Sequence, residues 1–524
     1  MKQKKTKAVA EFGDFQTPPE LAIRALRVLA RLGAAPAVVV EPTCGIGSFL
    51  RAASATFPSA SALVGVDINV QYLEEAQQVM AGLQVPVRLH QGDFFKFQWE
   101  DLLLEYEGPL LVTGNPPWVT SSELGSLASD NLPAKSNFQG RAGIDAITGK
   151  SNFDISEWML LRYLDWTAQR GGWIAVLCKT AVARKILLHS WKKSVGLRSA
   201  RIYKIDALRH FAAAVDACLF VVEVVPGATS TTCELFDTLE SVDPVRVMGY
   251  VDGHLVSDVE AFHRCRGLQG LEDAYTWRSG IKHDCSKVME LTPTSKGFSN
   301  KLGEEVALEP ESVYPLLKSS DVGNGRLQSR NVVIVTQQFV GQSTDYLREQ
   351  SPQAWAYLHR HKALLDARSS VIYRNKPSFS IFGIGPYSFA PWKVAVSGFY
   401  KKLNFVVVGP VDARPVFVDD TIYFLPCQSE EEAVFIQTLL MSKPAQDFFE
   451  SMVHWDEKRP ITVELLRRLS LRKLSALLGR HDDYQRLTRT TDVPPPLLSA
   501  DTPAQPAAPA PAAKSRQASS PRHC

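Results

Sequence analysis

Asn115-Pro116-Pro117-Trp118 is the segment of this chain whose residue types most directly suggest chemistry. It follows the apolar run Leu110-Leu111-Val112-Thr113-Gly114, which reads as a strand ending in a turn. Two consecutive prolines cannot continue a strand, and they hold the backbone in a stiff, extended corner. Such a corner can set the Asn115 side-chain oxygen and the Pro116 carbonyl side by side. Two adjacent acceptors suit the two hydrogens of one planar amino group. Accepting both draws the nitrogen toward tetrahedral geometry and frees its lone pair to attack an electrophilic methyl group. No covalent intermediate is required, so no cysteine nucleophile is required. Trp118 is placed to stack on a flat ring. The purely structural alternative is a proline-rich turn with an Asx-type cap.

Position favours the chemical reading, because this corner comes fourth in a series of polar-tipped strands. The first strand, Val38-Val39-Val40, runs into Glu41-Pro42-Thr43-Cys44-Gly45-Ile46-Gly47 and then a helix start at Ser48-Phe49-Leu50. Glycines there let a backbone approach a ligand closely, and Glu41 can face a cationic group such as a sulfonium. The second strand, Leu63–Val66, ends in Asp67-Ile68. Asp67 lies about 20 residues beyond Gly47, the spacing at which an acid reaches ribose hydroxyls in dinucleotide folds. After a third strand comes Gly92-Asp93-Phe94-Phe95, where Asp93 can accept from an adenine amino group and Phe94 can pack on the ring. A nicotinamide enzyme would use the first two acids as well, but Leu50 stands where its third glycine belongs.

These residues need a scaffold, and the flanking pattern supplies one. Apolar strand runs at Ala37–Val40, Leu63–Val66, Val87–His90, Leu110–Thr113, Trp173–Leu177, Arg201–Ile205 and Cys218–Val225 alternate with amphipathic stretches such as Leu21–Leu32, Gln71–Leu83 and Ile155–Gln169. That alternation predicts an α/β fold with a doubly wound, Rossmann-like sheet. The domain organisation read from composition is a basic flexible arm over residues 1–11, a sheet domain over 12–245, a more irregular α+β domain over 246–490, and a disordered Pro/Ala-rich tail over 491–524.

The ordered set resembles the amino-methylating DNA methyltransferases, and the N6-adenine group in particular. Glu41 to Phe49 is similar to their first-strand motif, Asn115 to Trp118 to their catalytic motif, and Phe15-Gln16-Thr17-Pro18-Pro19-Glu20 to their upstream Thr-Pro motif. The resemblance implies S-adenosylmethionine as cofactor and a C-terminal target-recognition domain, as in Type II restriction–modification systems. It also implies roles. Thr17 and Pro18 would line the methionine end of the cofactor, and Glu41, Cys44, Gly45 and Gly47 its floor. Asp67 with Ile68 would hold the ribose, and Asp93 with Phe94 the adenine. Asn115, Pro116 and Pro117 would grip the target amino group. Trp118 and Phe211 would stack on a flipped base. Ser151-Asn152-Phe153-Asp154 falls where the family's next motif lies.

Double-stranded DNA is the expected partner. Net charge is only +3, so any surface for it must be a local patch. Trp355–Lys402 offers one, with basic residues interleaved with aromatics; Arg374, Lys376, Lys393, Lys401 and Lys402 are the expected DNA-binding side chains. Ser279–Asp284 and Lys318–Val322 are further candidate reading loops, and the loop 119–150, with Lys135, Arg141 and Lys150, could close over DNA. Pro426-Cys427-Gln428 copies the nucleophile motif of cytosine-C5 enzymes but lies far from the Gly-x-Gly turn and reads as coincidence. The eight cysteines include no CxxC pair, so no metal site is expected. No membrane span or signal core is seen, so a cytoplasmic protein is expected. No nuclease motif is found, so a cognate restriction endonuclease is expected as a separate chain. Alternatives that share the Asn-Pro-Pro-aromatic motif are an N4-cytosine enzyme and a methyltransferase for RNA or protein glutamine. A catalytically silent DNA-binding subunit of a defence complex is the reading from another class.

Overall fold

The computed structural model describes residues 16–119, 154–272 and 274–489. The arm 1–11, most of the loop 119–150, the Ser151–Phe153 part of the expected motif and the tail 491–524 lie outside them.

Ten strands form the first sheet: β1 (Val38–Glu41), β2 (Ala62–Asp67), β3 (Val87–Gln91), β4 (Leu110–Gly114), β5 (Gly172–Lys179), β6 (Leu197–Ile205), β7 (Ala217–Val224), β8 (Thr232–Phe236), β9 (Arg246–Val251) and β10 (His254–Val256). Their order is β10-β9-β8-β6-β7-β5-β4-β1-β2-β3. Strands β3, β2, β1, β4 and β5 are mutually parallel. Strand β7 slots in antiparallel to both β5 and β6, so the sheet is not wholly parallel as the alternating pattern predicts. The reason is local: only the short helix Ala207–Phe211 and a few residues join β6 to β7, too little for a parallel crossover.

In β1, β2, β4, β5 and β7 both faces are buried, which is why those strands read as continuous apolar runs. Val38 and Val40 enter one core and Val39 the other; Leu110 and Val112 alternate with Leu111 in the same way. Helices cover the two faces, notably α1 (Pro19–Arg31), α2 (Ser48–Thr56), α3 (Val70–Val79), α4 (Trp99–Leu104), α5 (Ile155–Arg170) and α6 (Thr180–Lys192). The small helix between β6 and β7 is α7 (Ala207–Phe211).

The boundary read at 245 falls between β8 and β9, two paired strands of one sheet. Pairing carries the sheet on to Val256, which is buried in the core of the following half. That half holds a four-stranded sheet of β11 (Arg278–Ser279), β17 (Trp392–Ser397), β18 (Val406–Val408) and β20 (Ile422–Cys427). A six-stranded sheet contains β12 (Glu290–Thr294), β13 (Gly297–Asn300), β14 (Glu305–Val306), β15 (Val313–Leu317), β16 (Asn331–Ile334) and β19 (Phe417–Val418). The halves are tied by backbone bonds from Ser257 and Asp258 to the Ser451 carbonyl, at 2.8 and 3.0 Å. They are also tied by Arg184 on α6, 4% exposed, which pairs with Asp456 and with Glu457 at 3.3 Å. No helix among the described residues is long and apolar enough to cross a membrane.

Leu111 sits fully buried in a central strand. Leu111→Ala should lower stability by about 2–5 kcal/mol through lost burial and the cavity left behind. A urea titration checks this, and an unchanged midpoint would mean that the sheet relaxes around the gap.

Candidate functional site

Between β1 and β4 the strand order reverses, so connections leave the sheet on opposite sides and open a crevice at the carboxyl ends of the strands. Strand pairing sets Val40 beside Val112, which puts Glu41 next to the end of β4. Gly114 has φ +135°, and a Cβ there would stand 3.2 Å from Glu41 Cγ. The chain therefore passes the carboxylate at close range just before it reaches Asn115.

Glu41 is 3% exposed, and its Oε2 accepts from the Leu50 amide at 3.2 Å. Burial pushes its pKa well up; the Leu50 bond works against that, and the nearby Asp67 adds to it. Gly45 and Gly47, at φ +50° and +81°, make the left-handed turn into α2. Asp67 locks that turn: its two carboxylate oxygens accept from the Gly45 and Asn69 amides, each at 2.8 Å. The acid of the second strand thus fixes the glycine turn of the first. Ile68 beside it is 46% exposed at the rim.

Thr17 is drawn to the same turn, since its carbonyl accepts from Ser48 Oγ at 2.8 Å. Pro18 caps α1 immediately after it. The Gln16 side-chain oxygen lies 2.8 Å from where a Gly45 Cβ would be, so this amide sits against the glycine turn. Gln16 had no expected role of its own. Its place beside Thr17-Pro18 is the only signal that could have found it.

Cys44 is buried and donates its amide to the Val66 carbonyl at 2.9 Å, so it packs the turn from beneath. Asp93 accepts from the Phe95 amide at 2.9 Å and pairs with Lys96 at 3.3 Å. Phe94 is 8% exposed and lies among Trp99, Trp158, Tyr163 and Trp166, with ring centroids 5.4–6.0 Å away. Its ring is part of that aromatic cluster, not a free-standing platform.

At the corner itself, Pro116 is buried and Pro117 half-buried. The Trp118 indole donates to the Leu177 carbonyl at 3.3 Å and meets Phe211 edge-to-face, with centroids 5.2 Å apart and planes at 74°. The two aromatics expected from separate parts of the chain are therefore neighbours. Asp154 caps α5 and pairs with Lys179, the last residue of β5. Lys179 was missed; it is the polar tip of an apolar strand, the same signal that marks Glu41 and Asp67.

The expected DNA-binding side chains divide. Arg374, Lys376, Lys401 and Lys402 are exposed. Lys393 is not available to a phosphate: it is 1% exposed, and its ammonium donates to the Ala390 carbonyl at 2.7 Å. Burial lowers its pKa to about 7. It occupies an inward-facing position of β17, and charge alone could not reveal that. Arg368, in the same stretch, is likewise structural, donating to the Leu365, His283 and Ser380 carbonyls and lying 3.7 Å over the Tyr373 ring. The two candidate reading loops do come together. Ile281 donates to the Val418 carbonyl at 2.8 Å and Ser319 to Asp419 at 3.4 Å. Lys282 lies 3.7 Å from Asp420. A cleft of about 710 Å³ runs between the halves, lined by Thr180, Lys204 and Asp206 on one side and Lys401 and Trp455 on the other. Cys427 is buried in β20, and burial pushes its thiol pKa well up, so it has no nucleophile's environment.

A buried carboxylate, a glycine turn locked by a second acid, and a third acid beyond β3 fit a cofactor with a cationic centre, a ribose and a base. Fold and site together define an S-adenosylmethionine-dependent methyltransferase with a Rossmann-like sheet. No protein-family profile matches the chain. The Type II methyltransferase M.NspV of Nostoc sp. (strain ATCC 29411 / PCC 7524) is 43% identical to it over 474 residues, 90% of this chain and 98% of that protein. The solved Type IIL restriction–modification enzyme MmeI, in complex with DNA, shares the fold at a TM-score of 0.53 and 10% identity over 86% of this chain, which spans 64% of that protein's length. The chain belongs to the Type II methyltransferases, the DNA-methylating enzymes of restriction–modification systems.

Because Glu41 keeps its proton to higher pH in the folded chain than in the unfolded one, its contribution to stability is present at low pH. It is lost as pH rises through the raised value. Cofactor-free protein should lose melting temperature over that interval, and Glu41→Gln should flatten the loss. A sulfonium favours the anion, so at a pH below the raised value cofactor binding should release a proton, which calorimetry in buffers of different ionisation enthalpy measures. Binding without proton release would remove Glu41 from the cofactor site.

Proposed function

We propose that this enzyme methylates the exocyclic N6 of an adenine flipped out of double-stranded DNA. The observation that carries the reading is the contact of β1 and β4, which sets the Asn115-Pro116 corner beside the buried Glu41 carboxylate. The Asn115 side-chain oxygen and the Pro116 carbonyl accept the two amino hydrogens of the target base. Bound S-adenosylmethionine supplies an electrophilic methyl group. The attacking nitrogen gains positive charge as the new bond forms and the methyl–sulfur bond breaks, the two fixed acceptors stabilise that charge without reorganising, and the nitrogen then sheds one amino proton to solvent. Glu41, Gly45 and Gly47 hold the methyl donor, Asp67 its ribose, and Asp93 its adenine. Trp118 and Phe211 line the mouth through which the base enters.

A base inside a duplex cannot reach such a pocket, and extruding it costs a few kcal/mol. In our reading the residues after Val256 recover that energy from DNA contacts and select the sequence. Lys401 borders the cleft between the halves, and the loops at 279–284 and 318–322 gather nearby around Asp419 and Asp420. MmeI, which shares the fold, has been solved with DNA bound.

Asn115→Ala should abolish methyl transfer to DNA while leaving cofactor binding within a few-fold of wild type. Radiolabelled transfer followed by digestion to nucleosides reads both the rate and the base. Label in N4-methylcytosine would replace the adenine reading, and wild-type activity in the variant would remove the corner from catalysis. Neutralising Lys401 and Lys402 together should weaken binding to every sequence. It should also reduce the slope of log affinity against log salt by about 0.9 for each DNA phosphate that is no longer neutralised. Lys393→Met should leave that slope unchanged. A slope lowered by Lys393→Met and not by the Lys401/Lys402 variant would overturn the assignment of the DNA surface.

A further inference from the structure

Pro116 and Pro117 lack backbone N–H groups, so the corner cannot anchor itself through its own donors there. Something must donate to it, or its side chains must reach out. Two such anchors come from the end of β5. The Trp118 indole reaches the Leu177 carbonyl at 3.3 Å, and the Lys179 ammonium donates to the Trp118 carbonyl at 3.1 Å. Lys179 also pairs with Asp154 at 2.6 Å, in a contact where the two side chains are 24% and 8% exposed. The other Asp154 oxygen accepts from the Ser156 amide at 3.1 Å and the Ser156 hydroxyl at 2.5 Å, which fixes the start of α5. Ile155 donates its amide to the Val119 carbonyl at 2.9 Å. One lysine thus ties three segments together: the end of β5, the catalytic corner and the cap of α5.

We propose that Lys179 is a positioning residue for methyl transfer, and that Asp154 serves by neutralising it. This role rests on the reading of Asn115 and Pro116 as the acceptor pair, and it has two physical grounds. The first is geometric. A hydrogen bond to the Trp118 carbonyl fixes the direction in which the chain leaves Pro117, and so fixes the Pro116 carbonyl two residues back. Displacing a reacting group by about 1 Å can cost on the order of 100-fold in rate. The second is electrostatic. The target nitrogen becomes cationic as the methyl arrives, and an unpaired ammonium nearby would oppose that charge. Paired with Asp154, the lysine presents its hydrogen bond without a net charge. A lysine serving only stability would leave the rate of the folded enzyme unchanged, whereas this one should slow transfer by protein that is still fully folded at the assay temperature.

The test is single-turnover methyl transfer, scored as total label in DNA irrespective of base, for Lys179→Met, Lys179→Arg, Asp154→Asn and the Lys179→Met/Asp154→Asn pair. Affinities for S-adenosylmethionine and for DNA, and melting temperatures, are measured beside it. Lys179→Met should slow transfer by roughly 10- to 100-fold, with both affinities within about threefold of wild type, since no substrate contact is removed. Lys179→Arg, which keeps charge and donors, should recover most of the rate. Asp154→Asn should slow transfer, and adding Lys179→Met to it should cost less than the product of the single effects, because no lone ion remains. A Lys179→Met rate within threefold of wild type would overturn the proposal. So would a rate loss matched by an equal loss of cofactor affinity, or a failure of Lys179→Arg to recover. Additive single effects would overturn the neutralising role of Asp154. Nucleoside identity in the same digests reports separately on the target base, so a different methylated base would correct that reading without touching this one.

Discussion

Everything at the reactive end of this protein depends on two adjacent strands whose connections leave the sheet in opposite directions. Where β1 and β4 part, the crevice between their ends is bordered by a carboxylate from one and a proline-stiffened corner from the other. Neither would be useful alone. The carboxylate is buried at a cost, since burial disfavours its anion, and that cost has a purpose only if a cation comes to lie against it. The corner offers acceptors that matter only if an electrophile stands within reach. Gly114 makes the meeting possible, because any larger residue would crowd the Glu41 side chain.

Much of this could be read from the chain. The polar tips Glu41, Asp67 and Asn115 announce themselves because each follows an apolar run, Asp93 only by its place after the third strand, and the seven strands read in the first half coincide with β1 to β7 to within a few residues. The antiparallel β7 could not be read, since apolar runs carry no direction; only the shortness of its link to β6 betrays it. Trp118 and Phe211 were each expected to stack on a base; that they also meet edge-to-face was not read from the chain. Phe94 was read as a partner for a ring and is instead enclosed by four aromatic side chains, because a phenylalanine after an acid looks the same whether its ring turns out or in. Lys179 went unnoticed because a lysine ending a strand is usually solvated, and its two partners are distant in sequence.

The second half shows why charge is a poor guide to a surface. In the stretch from Trp355 to Lys402, Arg368 braces three carbonyls, Lys362 pairs with Asp366 and Lys393 is enclosed. The cations left to meet a polyanion include Arg360 at the end of a helix and Arg374, Lys376, Lys401 and Lys402 on turns. Of the aromatics there, Tyr357 and Phe379 are buried in a core, and Trp355, Tyr387, Phe389 and Trp392 pack against one. Glu290 illustrates the same economy inward. Burial alone would raise its pKa, yet bonds from His283, Lys301 and Lys318 hold it well below the ordinary range. Cations so employed stabilise the base of the loops instead of facing outward.

The ion pairs of Arg184 with Asp456 and Glu457 bear on how such enzymes could be recombined. A guanidinium that is almost wholly enclosed tolerates loss of its acids poorly, because the charge left behind is no longer solvated. A chimera carrying the sheet of this protein and the C-terminal half of another would strand Arg184 unless the donor brought acids to the same places. Exchange of specificity among these enzymes is then constrained by this seam, whose Arg184 and Asp456 line the cleft between the halves, and a matched seam is what would let the halves be traded.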